Sequence, residues 1–114
     1  MKDCIFCRII AGEIPANIIY QNDVFIAFHD INPQAPIHVL LIPKEHIPTI
    51  NDISSNHKQK IGHILSCSGK IAKKLGIHDN GYRIVANCNA DGGQEIFHLH
   101  FHLLGGRKLS WPPG

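Results

Sequence analysis

The sequence has no long apolar run, little net charge and few cysteines. None of its apolar stretches approaches the ~18 residues of a membrane-spanning helix, and the residues after Met1 lack the apolar core of a signal peptide. The 114 residues carry a formal net charge of +2 with the histidines neutral, so charge gives no argument for a nucleic-acid or membrane partner. We therefore expect a cytoplasmic protein that binds neither.

The four cysteines are too sparse for the disulfide framework of a small secreted domain, and reduced thiols are expected. Cys67 and Cys88 are interpreted as small buried or half-buried residues. Cys4 and Cys7 form a Cys-x-x-Cys pair, a spacing that can hold zinc or carry out redox chemistry.

Apolar periodicity predicts one domain over residues 1–114. Extended segments outnumber helices and the links between them are short, which favours an antiparallel α+β fold. The sequence predicts a short helix at 5–10, a long helix at 54–75, and strands at 18–20, 24–28, 37–42, 82–87 and from about 96. Ser54 or Ser55 is expected to begin the long helix and Gly76 to end it.

Residues 98–102 alternate histidine with apolar residues. A period of two predicts a strand that places His98, His100 and His102 on one face, while Leu99 and Phe101 face the core. Same-face neighbours lie about 6.6 Å apart, so His98 and His102 are separated by roughly 13 Å. Because metal–nitrogen bonds are about 2.1 Å long, three separate roles explain the histidines better than one shared metal ion.

A glycine pair, Gly92 and Gly93, lies just before these histidines. Paired glycines between strands can direct successive N–H groups into one concavity that suits phosphate oxygens, although most such pairs are simply tight turns. A nearby histidine favours the phosphate interpretation, because imidazole is largely neutral at pH 7 and can act as a nucleophile.

The segment from His98 to Leu104 matches the His-φ-His-φ-His-φ-φ signature (φ, apolar) of the histidine triad family. Asn87, Gly92, Gln94 and Ile96 lie at the offsets of that family's longer pattern. Segments 28–36 and 38–44 are similar to its central region, and 103–107 and 111–114 are similar to its Hint branch, the nucleoside phosphoramidate hydrolases. The resemblance covers nearly the whole chain.

The resemblance implies a single HIT domain over 1–114 with a HIT-like α+β fold. Its five-stranded antiparallel sheet would carry one long and one short helix, and two copies would form a homodimer with a continuous ten-stranded sheet. Trp111 would then lie near the partner's site, whereas the sequence alone equally allows a surface cap on its own subunit.

The same resemblance implies a chemistry for four histidines. His100 would attack the α-phosphorus of a purine nucleoside 5′-phosphoramidate of the AMP-amine or AMP-lysine type, and water would release the nucleoside monophosphate from a nucleotidyl-histidine intermediate. His102 and N–H groups near Gln94 would contact the phosphate, and His38 would complete that side together with Asn87. His98 would orient its neighbour or bind a metal, and catalysis itself would need no metal.

The implied nucleotide site combines apolar, polar and triad residues. Asp30 would accept from the ribose hydroxyls, although its position before Asn32 and Pro33 also suits an ordinary turn. Glu95 stands where many relatives have Ser or Thr, which leaves the preferred leaving group open. The implied nucleotide-binding residues are Ile5, Phe6, Phe28, Asp30, Ile31, Asn87, Gly93, Gln94, Glu95, Ile96, His100 and His102.

Some relatives with an N-terminal Cys-x-x-Cys hold structural zinc, and the matching positions here are Cys4, Cys7, His46 and His98. The alternative is a reduced cysteine pair at a helix surface. Two functional alternatives also stay open: a dinucleoside polyphosphate hydrolase, and a non-enzymatic module that only binds AMP or GMP. The Gly105-Gly106 segment and the tryptophan-containing tail argue against the first of these.

Overall fold

A computed structural model describes residues 3–114. Five strands form one antiparallel sheet in the order β1-β2-β3-β5-β4, which confirms the predicted α+β fold. The elements are α1 (Ile5–Ile10), β1 (Ile18–Gln21), β2 (Phe25–His29), β3 (Ile37–Pro43), α2 (Lys58–Lys74), β4 (Tyr82–Val85) and β5 (Phe101–Gly105). None of the helices in the described range is long and apolar enough to cross a membrane.

Strands β2 and β3 bury both of their faces. Alternate residues of β2 and β3 pack with α2 on one side of the sheet and with α1 on the other, because successive strand side chains point in opposite directions. The α2 side contains Phe25 and Leu41, and the α1 side contains Phe28 and Leu40. This double burial explains why segment 37–42 is almost continuously apolar.

The strand that carries the histidines begins later than the sequence predicts. β5 starts at Phe101, so His98 and His100 lie in the segment that leads into it. The β3–β5 register pairs Leu41 with Phe101, and its continuation would place Leu99 against Pro43, which has no N–H to donate. The Leu99 N–H instead donates to the Ile47 carbonyl at 2.6 Å.

Two other boundaries differ from the prediction by more than one residue. A 3-10 turn at Ser55–His57 precedes α2, so the α-helix proper begins at Lys58 rather than at the serines. The strand predicted at 82–87 ends at Val85. Gly76 has a φ of 77° just after α2, which matches the expected left-handed exit.

Candidate functional site

Four histidines lie on the face of the sheet that α1 covers. The Phe6 ring of α1 packs edge-to-face on His98 and His100, with ring centroids 5.9 and 5.1 Å away. The His102 ring lies 5.0 Å from His100 and 5.1 Å from His38, which β3 supplies. The shared face predicted for the triad is therefore confirmed, although only His102 lies within a strand.

Backbone carbonyls determine which ring nitrogen of His98 and His100 carries the proton. The Nδ1 of His100 lies 2.8 Å from the His98 carbonyl oxygen. A carbonyl only accepts, so Nδ1–H is the donor and a neutral His100 has its lone pair on Nε2. His98 has the opposite tautomer, because its Nε2 donates to the Pro43 carbonyl at 2.8 Å.

A second line of hydrogen bonds assigns the protons of His38 and His102. The Gln34 N–H donates to Nδ1 of His38 at 3.0 Å, so neutral His38 carries its proton on Nε2. That nitrogen lies 2.9 Å from Nδ1 of His102. His102 therefore accepts through Nδ1 and has its own proton on Nε2.

Both of these rings are neutral at pH 7. Burial lowers the pKa of His38, and the nearby Asp30 carboxylate opposes that change. Burial, together with the neighbouring His100 and His38, lowers the pKa of His102 to about 4. A neutral ring can accept one hydrogen bond and donate another, as this line requires.

The residues expected to hold the nucleoside differ widely in exposure. Phe6 and Phe28 are buried and stack edge-to-face, with centroids 6.1 Å apart. Ile31 is fully exposed and Ile5 is 44% exposed. Large exposed apolar side chains of this kind are available to pack against a bound ring.

The sequence allowed two interpretations of Asp30: a turn residue and an acceptor for the ribose hydroxyls. Its Oδ1 accepts from the Asn32 N–H at 2.8 Å, so the residue does close a turn. Its Oδ2 lies 3.4 Å from Nε2 of His38. The carboxylate is thus a neighbour of the histidine cluster as well as a turn residue.

The loop that follows β4 contradicts the expectation that the N–H groups of Gly93 and Gln94 are free to bind phosphate. The N–H groups of Gly93 and Gln94 donate at 3.0 Å to Ala90 and Asn89 carbonyls inside the loop, so they are not free to bind phosphate. The N–H groups of Glu95 and Ile96 make no such bond within residues 3–114. These two amides are among the donors that the loop leaves without a hydrogen bond in this range.

The Gln94 side chain is buried and stabilises the loop. Its Oε1 accepts from the Asn89 N–H at 2.9 Å, and its Nε2 donates to the Pro48 and Ile96 carbonyls at 2.9 and 3.1 Å. Asn87 is half-buried and lies two residues beyond β4. Extending the β4–β5 register places it opposite His100.

Two thiols and two imidazoles converge beside α1. The Nδ1 of His98 lies 3.3 Å from the Cys4 Sγ and 3.5 Å from the Cys7 Sγ. The Nδ1 of His46 lies 3.3 Å from the Cys7 Sγ and 3.1 Å from Nδ1 of His98. All four atoms lie within 4.8 Å of one another.

These distances fit a tetrahedral metal site. Bonds of 2.3 Å to sulfur and 2.0–2.1 Å to nitrogen imply edges of about 3.6 Å between unlike ligands and about 3.3 Å between two nitrogens. The Pro43 carbonyl also keeps the proton of His98 on Nε2, so Nδ1 offers a lone pair to the cluster, as metal-ligating histidines do. His98 therefore contributes its ring to this cluster and its carbonyl to His100.

A cavity of about 350 Å³ adjoins the cysteine–histidine cluster. Two of its lining residues, Asp3 and Glu95, are acidic, and Ile5 and Phe97 supply apolar wall. Glu95 thus faces this cavity, which none of His38, His100 and His102 lines.

Sequence reasoning missed the groups that orient the histidines. The Gln34 N–H and the carbonyls of His98 and Pro43 are backbone groups, so no residue type marks them. A strand prediction with its register is the only signal that would have suggested the Pro43 contact.

Comparison with known proteins gives one family. The sequence profile of the HIT domain matches residues 11–109. The chain is 51% identical over 108 residues to the Purine nucleoside phosphoramidase of Escherichia coli (strain K12), covering 95% of this chain and 91% of that protein. The crystal structure of a HIT family hydrolase from Legionella pneumophila Philadelphia 1 superposes with a TM-score of 0.95 at 50% identity, covering 97% of this chain and 99% of the other. A histidine triad protein from Clostridium difficile gives a TM-score of 0.93 at 45% identity, with 96% of each chain covered. The chain belongs to the HIT domain family.

Proposed function

We propose that this protein hydrolyses purine nucleoside 5′-phosphoramidates through a covalent intermediate on His100. One observation carries the proposal: the His98 carbonyl holds the Nδ1 proton of His100 and leaves Nε2 as a lone-pair nitrogen. The similarity to a protein named purine nucleoside phosphoramidase supports the choice of substrate.

In the first step the lone pair on Nε2 attacks the α-phosphorus and the P–N bond breaks. The amine leaves with the electron pair of that bond and takes up a proton from solvent, and the water that attacks in the second step returns one proton to solvent. The imidazole gains positive charge as it bonds to phosphorus, and the His98 carbonyl stabilises that charge through the Nδ1–H bond. Water then attacks the nucleotidyl-histidine, which releases the nucleoside monophosphate and restores His100.

His102 supports the phosphate in this proposal. Its Nδ1 accepts from His38, so the proton on Nε2 is available to a phosphate oxygen. The free N–H groups of Glu95 and Ile96 are the loop donors that would face the same charge. Donors that are held in place before the substrate arrives need little reorganisation during the reaction.

The nucleoside would pack against the apolar residues beside α1. Phe6 and Phe28 form the buried part of that surface, and Ile5 and Ile31 its exposed part. Asp30 accepts from the ribose hydroxyls in this arrangement.

We also propose that Cys4, Cys7, His46 and His98 hold a structural zinc ion. A Cys₂His₂ set is a closed structural site with no position for a substrate. The bound ion would supply no reaction chemistry and would tie α1 to the segment that precedes β5. Burial and the neighbouring Cys4 raise the pKa of the Cys7 thiol, so metal binding there would release a proton.

A homodimer fits the edge of the sheet. Within residues 3–114, β4 is a terminal strand that pairs only with β5, which leaves one side of its backbone available to a second copy. Joining two β4 edges would give the ten-stranded sheet. Trp111 is 81% exposed on its own chain, which suits a tail that reaches the partner's site rather than a surface cap.

We place this enzyme in the cytoplasm, where reduced cysteines persist.

The test follows AMP release from adenosine 5′-phosphoramidates and from a dinucleoside polyphosphate on one preparation. We expect phosphoramidate turnover, its loss in His100→Ala with nucleotide binding retained, and no loss in His78→Ala, which changes an exposed histidine paired with Asp79. Faster cleavage of the dinucleotide would favour the polyphosphate hydrolase. Binding of AMP without turnover of either compound would leave a binding module.

A further inference from the structure

Asp30 lies beside His38 as well as closing its own turn. Its two carboxylate oxygens have different neighbours: Oδ1 accepts from the Asn32 N–H at 2.8 Å, and Oδ2 lies 3.4 Å from Nε2 of His38. The His38 side chain is only 4% exposed and that of Asp30 is 20% exposed. A carboxylate this close to a buried N–H interacts with it more strongly than a water-exposed pair would.

The single proton of His38 has one hydrogen-bond acceptor and a carboxylate beside it. The Gln34 N–H occupies Nδ1, so the proton is on Nε2 and is shared with Nδ1 of His102 at 2.9 Å. Oδ2 of Asp30 lies 3.4 Å from the same nitrogen as a charged neighbour. This arrangement argues against a metal ion among Asp30, His38 and His102, although their ligand atoms lie within 4.8 Å of one another. A metal on Nε2 would require a proton on Nδ1, which would then face the Gln34 N–H.

The same bond excludes proton transfer through His38. If His38 gave its Nε2 proton to His102, it could not regain one on Nδ1 without losing the Gln34 bond, and an imidazolate would remain. His38 is therefore a fixed donor to His102.

We propose that Asp30 is a positioning residue for the phosphate side of the site: its carboxylate holds the His38 ring and the Nε2–H, and through them keeps His102 in the tautomer that presents Nε2–H to the phosphate. This inference rests on the proposed function, in which His102 faces the phosphate. It gives the carboxylate a second role besides the ribose, and it couples the two ends of the nucleotide through one side chain.

The substitution Asp30→Asn isolates the contact with His38. An asparagine oxygen can still accept from the Asn32 N–H or from a ribose hydroxyl. Its NH₂ group would then lie beside the His38 Nε2–H, so that a donor replaces the negative charge that lies there in wild type. If the asparagine amide rotates by 180°, its NH₂ group instead faces the Asn32 N–H, and two donors meet there.

The test compares adenosine and 2′,3′-dideoxyadenosine 5′-phosphoramidates that carry the same amine. The dideoxy substrate has no hydroxyl for Asp30 to bind, so a pure ribose contact predicts equal kcat for wild type and Asp30→Asn on that substrate. Our inference predicts that kcat falls roughly fivefold to tenfold on both substrates, because the 3.4 Å contact is charged and buried but is not a hydrogen bond. In a His38→Ala background, Asp30→Asn should cause no further loss on the dideoxy substrate.

A nitrogen NMR measurement separates this inference from the proposed function. Histidine ¹⁵N shifts report the tautomer, and we expect Nε2–H forms for His38 and His102 in wild type and a changed His102 signal in Asp30→Asn. Asp23→Asn, an exposed turn carboxylate, is the matched control and should change nothing. No turnover of any phosphoramidate would refute the function. An unchanged His102 signal together with unchanged kcat on the dideoxy substrate would refute the role of Asp30.

Discussion

The neutrality of His102 predicts a specific loss of stability in acid. The folded protein lowers the pKa of this ring from its ordinary 6.5 to about 4, so the unfolded chain binds its proton first as the pH falls. Stability from this group is therefore complete above pH 6.5 and decreases between pH 6.5 and about 4. The proposed mechanism needs the neutral ring, because only that form accepts from His38 while it donates through Nε2.

The size of the effect follows from the two pKa values. The decrease of the His102 pKa from 6.5 to about 4 corresponds to a loss of at most about 3.4 kcal/mol in the free energy of unfolding, at 1.36 kcal/mol per pH unit. The ring is only half-buried, and solvent screening reduces this to roughly 1–2 kcal/mol.

Denaturant unfolding at pH 7.5 and pH 4.5 measures this term. Between these two pH values wild type should lose roughly 1–2 kcal/mol more free energy of unfolding than His102→Gln, because glutamine cannot take up a proton. His78→Gln, at an exposed position, should lose as much as wild type. Equal losses in wild type and His102→Gln would show that His102 is not held neutral, and the hydrogen-bond line from Gln34 would then be wrong.

Three further predictions concern the metal, the loop and the leaving group. Protein purified without added metal should contain one zinc ion per chain by elemental analysis; Cys7→Ser should lose it and Cys88→Ser should not, and metal-free wild type would contradict the site. Gly92→Ala should destabilise by about 1–3 kcal/mol, because an added Cβ would lie 2.6 Å from the Cys88 carbonyl oxygen; Gly62→Ala, with open space around it, should stabilise by about 0.5–1 kcal/mol in thermal unfolding. Glu95→Gln should lower kcat/KM severalfold for phosphoramidates whose leaving amine carries an additional cationic group, because the Glu95 carboxylate lines the cavity beside the cysteine–histidine cluster. The kcat/KM for a phosphoramidate of a neutral alkylamine should stay unchanged. Equal effects on both substrates would contradict this.

Most of the fold could be predicted from the sequence because its burial is periodic. The apolar run at 37–42 gave the central strand, and the His-apolar alternation gave the correct faces of residues 98–103. The start of β5 could not be predicted, since it depends on which residue lies opposite Leu99 across the sheet. That residue is Pro43, and only the register identifies it.

The candidate site was predictable in its residue types but not in its proton positions. Cys4 and Cys7 are recognisable by spacing, whereas His46 entered only through the family resemblance and is brought to them by folding. The glycine pair suggested free N–H groups. The loop instead uses the N–H of Gly93, and that of the following Gln94, in hydrogen bonds of its own turn. Hydrogen bonds within a loop depend on backbone angles that residue types alone do not determine.

The central claim is that His100 forms the covalent intermediate, and trapping that intermediate tests it most directly. Wild-type enzyme would be mixed with an adenosine 5′-phosphoramidate, quenched with alkali within one turnover, digested and analysed by mass spectrometry. We expect an adenylyl group on His100 that appears before free AMP and is absent from His100→Ala. Turnover without that adduct, or an adduct on a different residue, would contradict it.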